Sequence, residues 1–301
     1  MSMHQIGPYQ LVEFIDSGSF ANVYKCINRD TNEVFACKVV SLTIRQNQKL
    51  LENFKNELYI HSRMAHPGII RLHDVQLDDK YIYIILEYST YGNLEQVVQS
   101  SNGIDEYESA VYFKQVMDAI NYIHKMGVAH RDITLKNILI GADGRAKLSD
   151  FGLCKLQPEN SYLTTTCGTF VYVPPEILNG QHYDGMKADI WSAGICLYAM
   201  TCNHLPWVID DKLPPEQIWE AAKNQICSGN ISFDDKQTEL LRDLISQMLA
   251  IEPEYRPDCD EILGHPWFAQ LGCDDTPEDY CPNQNLIEIV NQLVETILNV
   301  I

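Results

Sequence analysis

The chain has 301 residues, 46% of them hydrophobic, which is enough to bury a sizeable core in one bilobal unit or two small domains and excludes a disordered chain. Its 41 acidic residues outnumber 22 basic ones. The resulting formal charge of −19 argues against broad binding to nucleic acid or to an anionic membrane surface.

In chain order, the opening from Met1 to Gln10 is polar and lacks the apolar run of a secretory leader, so none is expected. Residues 9–40 alternate apolar and polar around a Gly-Ser turn and read as a β-meander. Residues 48–65 place Leu51, Phe54, Leu58 and Met64 at helical spacing, with His66-Pro67-Gly68 as the stop. Two strands follow, near 69–76 and 81–87. The second holds the most apolar run, Tyr81 to Leu86, which has the length of a buried strand and is too short to cross a bilayer. From residue 93 helical patterns dominate. The expected fold class is therefore α+β, with a β-rich unit over 1–88, a helical unit over 89–268 and a hinge at Glu87 to Gly92. A tail over 269–301 follows, in which Leu286, Val290, Leu293, Ile297 and Ile301 share one face of an amphipathic helix. That helix is expected to pack back on the larger unit. Arg256 is the last arginine or lysine, and calmodulin-target helices are basic, so calmodulin is not an expected partner. The ten cysteines are scattered and never form C-x-x-C, which fits reduced thiols in the cytoplasm or nucleus better than a zinc site or disulfide framework. Cys154 is expected to be partly exposed.

The residues suited to chemistry lie at defined spacing. H-R-D-I-T-L-K-N at 130–137 offers a carboxylate, Asp132, and an amide, Asn137; D-F-G at 150–152 offers Asp150 beside Gly152, expected to supply the sharp turn. Upstream stand D-S-G-S-F-A-N-V at 16–23, F-A-C-K at 35–38 and Glu57. Downstream stand C-G-T-F-V-Y-V-P-P-E at 167–176, D-I-W-S-A-G at 189–194, E-Y-R-P at 254–257 and H-P-W-F at 265–268. Phosphoryl transfer needs a base to orient a hydroxyl and oxygen ligands to hold Mg²⁺ on a triphosphate, and this set contains both.

Residues 9–268 resemble the catalytic domain of eukaryotic serine/threonine protein kinases. G-S-F-A at 18–21, N-E-L-Y-I-H at 56–61 and Thr134 are similar to Polo-like kinases, and H-P-W-F is similar to calcium/calmodulin- and AMP-regulated kinases. The resemblance implies a bilobal fold with a β-rich N-lobe carrying one regulatory helix and a helical C-lobe. It implies ATP and Mg²⁺ as reaction partners and protein substrates. It further implies Asp132 as base, Asn137 and Asp150 as Mg²⁺ ligands, and Lys38 on the α- and β-phosphates with Glu57 holding it. Gly18 would lie in the loop over the phosphates, and Ile15, Val23, Ala36 and Leu139 around adenine. Leu86 would be the gatekeeper, with Glu87 and Ser89 as hinge contacts. Arg131 and Thr165, with neighbours Thr164 and Thr166, imply a phosphate-dependent switch set by an upstream kinase. Glu176 would pair with Arg256, and Asp189 would anchor the catalytic loop.

The chain departs from the family at three points. Thr134 stands where serine/threonine kinases carry a lysine, and Lys136 offers a cation two residues later, where tyrosine kinases place arginine. Asp16 and Ala21 replace outer glycines, and Asp16 brings negative charge toward an anionic ligand unless it points away. These departures suit the alternative of a pseudokinase, a nucleotide-binding scaffold without turnover; the complete set Lys38, Glu57, Asp132, Asn137 and Asp150 suits transfer. Thr169 favours serine and threonine over dual specificity. Asn93, Lys136 and Ala199 stand where relatives that select upstream arginine carry acidic residues, so no strong preference of that kind is expected.

Overall fold

The computed structural model describes residues 4–18, 21–158, 161–165, 167–207, 214–272 and 281–298. The first lobe is one antiparallel sheet of β1 (Gln5–Ile6), β2 (Tyr9–Ser17), β3 (Ala21–Asn28), β4 (Val34–Ser41), β5 (Leu72–Leu77) and β6 (Tyr81–Glu87), in the order β1-β2-β3-β4-β6-β5. Successive side chains of a strand point to opposite faces, so each strand serves two environments. Phe35, Cys37, Tyr83 and Ile85 join Tyr9 and Cys26 in an outer cluster. Val40, Ile82 and Ile84 face inward with Leu51, Phe54 and Leu58 of helix α1 (Gln48–His61). Asn47 caps α1 by accepting from the Leu50 N–H at 3.2 Å. The helix stops at His61, before the expected 65; the chain then turns through Ser62 and Arg63, whose N–H groups reach back to Leu58 and Ile60.

The second lobe is helical: α2 (Leu94–Ser101), α3 (Glu106–Lys125), α4 (Pro175–Leu178), α5 (Gly185–Cys202), α6 (Pro215–Ser228), α7 (Glu239–Met248), α8 (Cys259–Leu263) and α9 (Pro266–Leu271). Four short strands, β7 (Val128–Ala129), β8 (Ile138–Ile140), β9 (Ala146–Leu148) and β10 (Lys155–Leu156), pair as β7 with β10 and β8 with β9 beside the cleft. Helix α5 is hydrophobic on all sides and is buried over most of its length, with Trp191 fully enclosed. Burying each such large side chain stabilises the fold by about 1.5–3 kcal/mol. The predicted pair is present: Arg256 donates to both Glu176 oxygens at 2.7 and 2.8 Å, and Arg256 is 1% exposed. In H-P-W-F, Trp267 and Phe268 are buried, and His265 caps α9 by accepting from the Trp267 N–H.

The tail corrects one expectation. Helix α10 (Gln284–Leu298) packs on the small lobe, not the large one: Leu286, Val290 and Leu293 enter the inward cluster of α1, β5 and β6. The face was read correctly, but a stripe of apolar residues does not name the surface that covers it. The side chains of Ile297 and Ile301 lie outside the described residues.

Candidate active site

The cleft between the lobes encloses about 1060 Å³ and is lined by nearly every predicted contact: Ile15, Gly18, Val23, Ala36, Lys38, Glu57, Leu86, Glu87, Ser89, Asp132, Lys136, Asn137, Leu139 and Asp150. Arg131 and Thr165 lie outside its lining. A second cavity, about 560 Å³, opens where the start of α10 meets the α1–β5 connection.

From the small lobe, β4 and α1 present the charged pair. Val23 and Lys38 are cross-strand partners. The Lys38 Nζ lies 2.5 Å from Glu57 Oε1 and 3.4 Å from Asp150 Oδ1. Burial disfavours the Lys38 charge, but Glu57 and Asp150 outweigh it and hold its proton more tightly than usual. For Asp150, burial raises the carboxyl and the nearby Lys38 and His130 lower it; the net effect holds it below the ordinary value, so it is ionised at neutral pH.

From the large lobe, the catalytic loop is held by Asp189 of α5. Its carboxylate accepts the Arg131 N–H at 2.7 Å and the His130 N–H at 2.8 Å, and His124 Nε2 lies 2.9 Å away. These bonds hold Arg131 at φ 68°, and Asp150 sits at φ 58°. A left-handed conformation at a non-glycine residue costs about 1–3 kcal/mol and persists only where its surroundings enforce it. The sharp turn of D-F-G therefore occurs at Asp150 and not at Gly152. Space at Gly152 is tight: a Cβ there would lie 3.2 Å from Asp150 Oδ1 and in ordinary contact, 3.5 Å, with Glu57 Oε2. His130 and Phe151 are buried and pack edge to face at 5.0 Å.

Both oxygens of Asp132 are engaged. Oδ1 accepts from the Thr169 N–H and Oγ1, each at 2.9 Å, and Oδ2 accepts from Asn137 Nδ2 at 2.9 Å. Asn137 Nδ2 also donates to the Asp132 carbonyl at 2.8 Å, which commits the NH₂ and leaves the amide oxygen for a cation. Thr134, buried at 4%, accepts the Asn137 N–H at 3.2 Å. The residue that replaces the family lysine thus caps the turn that carries Asn137. Among the described residues no three His, Cys, Asp or Glu gather into a metal cage. The Asp150 carboxylate and the Asn137 amide oxygen are hard oxygen donors of the kind that would hold Mg²⁺.

Lys136 stands at the mouth of the cleft, 3.4 Å from Asp16 Oδ2, with both side chains more than half exposed. The Asp16 charge is thereby offset by a cation from the opposite lobe, and Lys136 is held toward the glycine loop. At the hinge, the Glu87 carboxylate is committed to Lys147 at 2.6 Å and to the Arg71 N–H, so a contact from Glu87 to adenine runs through main chain. Ser89 Oγ donates to the Gly92 and Ile140 carbonyls.

Tyr183 was not singled out from sequence, and His61 and Thr134 were noted there without the roles that follow. His61, buried under the cleft, lies 2.7 Å from the Ile70 carbonyl and 4.8 Å from the Phe151 ring, and burial lowers its imidazole to about 4. In sequence it was noted only as the last residue of N-E-L-Y-I-H. Tyr183 bridges Thr165 and Arg131: its hydroxyl donates to the Thr165 carbonyl at 2.9 Å and accepts from Arg131 Nη1 at 3.3 Å. Nothing in its sequence neighbourhood marks it. Thr134 was seen as a departure, yet the Thr-x-x-Asn spacing is that of a local cap. Cys154, expected to be partly exposed, is 7% exposed, and burial pushes its thiol pKa up, so it is inert. Thr166 lies outside the described residues.

The model of the protein kinase domain family matches residues 9–268. The chain belongs to that family. It is 34% identical over 269 residues to CBL-interacting protein kinase 31 of Oryza sativa subsp. japonica, covering 88% of this chain and 58% of that protein. It is 35% identical over 286 residues to CBL-interacting serine/threonine-protein kinase 8 of Arabidopsis thaliana, covering 94% of this chain and 61% of that one. The chain therefore spans 58–61% of the length of these curated relatives. Protein kinases in general use ATP and Mg²⁺. The kinase domain's two lobes match the α+β expectation.

Proposed function

We propose that the chain is an ATP-dependent serine/threonine protein kinase that transfers a γ-phosphoryl group to protein hydroxyls. The observation that carries this reading is the joint geometry of Lys38, Glu57 and Asp150 on one side of the cleft and Asp132, Asn137 and Thr169 on the other. Lys38 binds the α- and β-phosphates and is kept charged by its two carboxylate partners. Asp132 accepts the substrate hydroxyl proton; Thr169 and Asn137 orient its carboxylate. Asp150 and Asn137 would hold Mg²⁺, which would supply neutralisation of the charge that develops in transfer. Lys136 supplies the cation that Thr134 cannot. Ile15, Val23, Ala36, Leu86 and Leu139 enclose adenine, whose polar edge meets main chain at Glu87 and Ser89, and Gly18 lies in the loop over the phosphates.

Arg131, Tyr183 and Thr165 support a switch in which phosphate on Thr165, added by an upstream kinase, pairs with Arg131. Units over 1–88, 89–268 and 269–301, and a cytoplasmic or nuclear location, belong to the same reading; nine described cysteines, all free, support the location. Ala21, Thr134 and H-P-W-F support a place between the Polo-like and the calcium/calmodulin- or AMP-regulated kinases. The test is transfer from γ-labelled ATP with Mg²⁺ to a generic protein substrate, followed by phosphoamino-acid analysis. Phosphoserine and phosphothreonine are expected; phosphotyrosine would show dual specificity, and ATP binding without transfer by the Thr165-phosphorylated chain would show a pseudokinase.

A further inference from the structure

Helix α1 has two working sides. One presents Glu57 to Lys38; the other presents Leu51, Phe54 and Leu58 to a cluster that the tail helix completes. Within that cluster Val290 is fully buried, and Leu286 and Leu293 are 4% and 8% exposed. A polar tie stands at one end of the contact. Arg63 Nη2 donates to Asn291 Oδ1 at 3.0 Å, while the same guanidinium stacks on Tyr59 of α1 and donates to the Tyr59 carbonyl. Phe54 and Leu58 flank Glu57 within one turn, and a helix moves as a rod over so short a span. Whatever holds those two side chains also sets where the Glu57 carboxylate lies.

The large lobe fixes its own half of the site through buried hydrogen bonds to Asp189. Among the described residues, the polar ties of α1 to the small lobe are the Lys38 pair at Glu57 and, at the end of the helix, buried His61 on the Ile70 carbonyl. Between those two ties apolar packing holds the helix, and α10 supplies one wall of it. Apolar packing can also be undone as a unit, because the stripe is carried by a single helix.

We propose that α10 is a positioning element of the catalytic cleft: the stripe Leu286–Val290–Leu293, seated on α1 and β5, holds Glu57 on Lys38. The proposal rests on the kinase reading for its effect on turnover, but its effect on α1 can be read without turnover. The side chains of α10 touch no reacting atom, so these are positioning residues and not catalytic ones.

The experiment uses the full chain with Val290→Asp and, as a milder change that removes two methyl groups, Val290→Ala. Exposed Gln292→Ala is the control. Amide exchange of residues 48–61 and 284–296 is measured with kcat and the KM for ATP. In Val290→Asp both segments are expected to exchange faster and kcat to fall about tenfold or more, the size of a shift away from a mostly populated competent state. Val290→Ala should move in the same direction by less, and Gln292→Ala should change neither readout. A synthetic peptide of residues 281–301 added in trans is expected to restore kcat and α1 protection to Val290→Asp, which a globally destabilised enzyme would not show. Faster exchange in 284–296 with unchanged exchange in 48–61 and unchanged kcat would overturn the proposal. If Val290→Asp does not fold, Val290→Ala decides by the same two readouts. If the parent transfers no phosphate, the kinase reading fails, and the α1 exchange still accepts or rejects the positioning role.

Discussion

The two lobes hold their halves of the site by different physics. In the large lobe, Asp132 and Asn137 are fixed by a set of hydrogen bonds around buried Asp189 and Thr134 and exposed Thr169. In the small lobe, Lys38 and Glu57 meet because a sheet and a helix are packed together, and the glycine loop is tied down by one exposed ion pair, Asp16–Lys136. Directional bonds that fail leave buried groups unpaired, so the first half is rigid. Apolar contacts and exposed charges slide more easily, so the second half is adjustable. A phosphoryl-transfer site benefits from this division: the base and metal ligands stay in place while the nucleotide side opens and closes.

Breaking the rigid half should have the largest effect. Asp189→Ala removes the acceptor for two loop N–H groups, each costing about 1–3 kcal/mol when left unsatisfied, and kcat should fall at least about a hundredfold with a lower Tm. Steady-state kinetics and calorimetry measure both. Glu176→Ala leaves the buried Arg256 charge alone and should cost about 3–5 kcal/mol of stability, read from denaturant unfolding, without a specific change in KM for ATP. In the adjustable half, Glu57→Gln should lower kcat by about tenfold and raise the KM for ATP, because Lys38 loses its nearest partner.

The smallest effects sharpen the contrast. Asp16→Asn breaks an exposed pair worth about 0.2–1 kcal/mol, so the KM for ATP should change by no more than a few-fold, and added salt should erase the difference. pH acts through histidines near the seam between the lobes. Burial lowers His61 and His66 to about 4, below the ordinary 6.5. Between those values the unfolded chain binds protons that the folded chain cannot, so stability should fall as pH drops from about 6.5 toward 4. The Asp150 carboxyl, held below its usual value, contributes only at still lower pH. Unfolding free energies across that window, with His61→Gln flattening the slope, measure this.

The rigid half was the more legible in sequence. Its residues come from short motifs, and the resemblance to protein kinases that those motifs carry is what named Asp132, Asn137, Asp150, Asp189 and the Glu176–Arg256 pair. What escaped was decided by tertiary packing. The period of Leu286, Val290 and Leu293 marks a face, but the competition between two lobes for that face is settled by shape. The positive φ at Asp150 has no mark in the local sequence, where a glycine two residues away drew attention instead. Lys136 was recognised as a cation, but its partner, Asp16, lies on the other lobe, 120 positions earlier in the chain.

The most direct measurement is ATP binding and Mg²⁺-dependent transfer by the parent and Asp132→Asn side by side. Asp132→Asn keeps the size of the side chain and the phosphate contacts of Lys38, so it should bind ATP as the parent does while kcat falls about 10²–10⁴-fold, the contribution of a positioned base. Equal transfer by both, or none by the Thr165-phosphorylated parent despite bound ATP, would contradict the assignment of this cleft as a working kinase site.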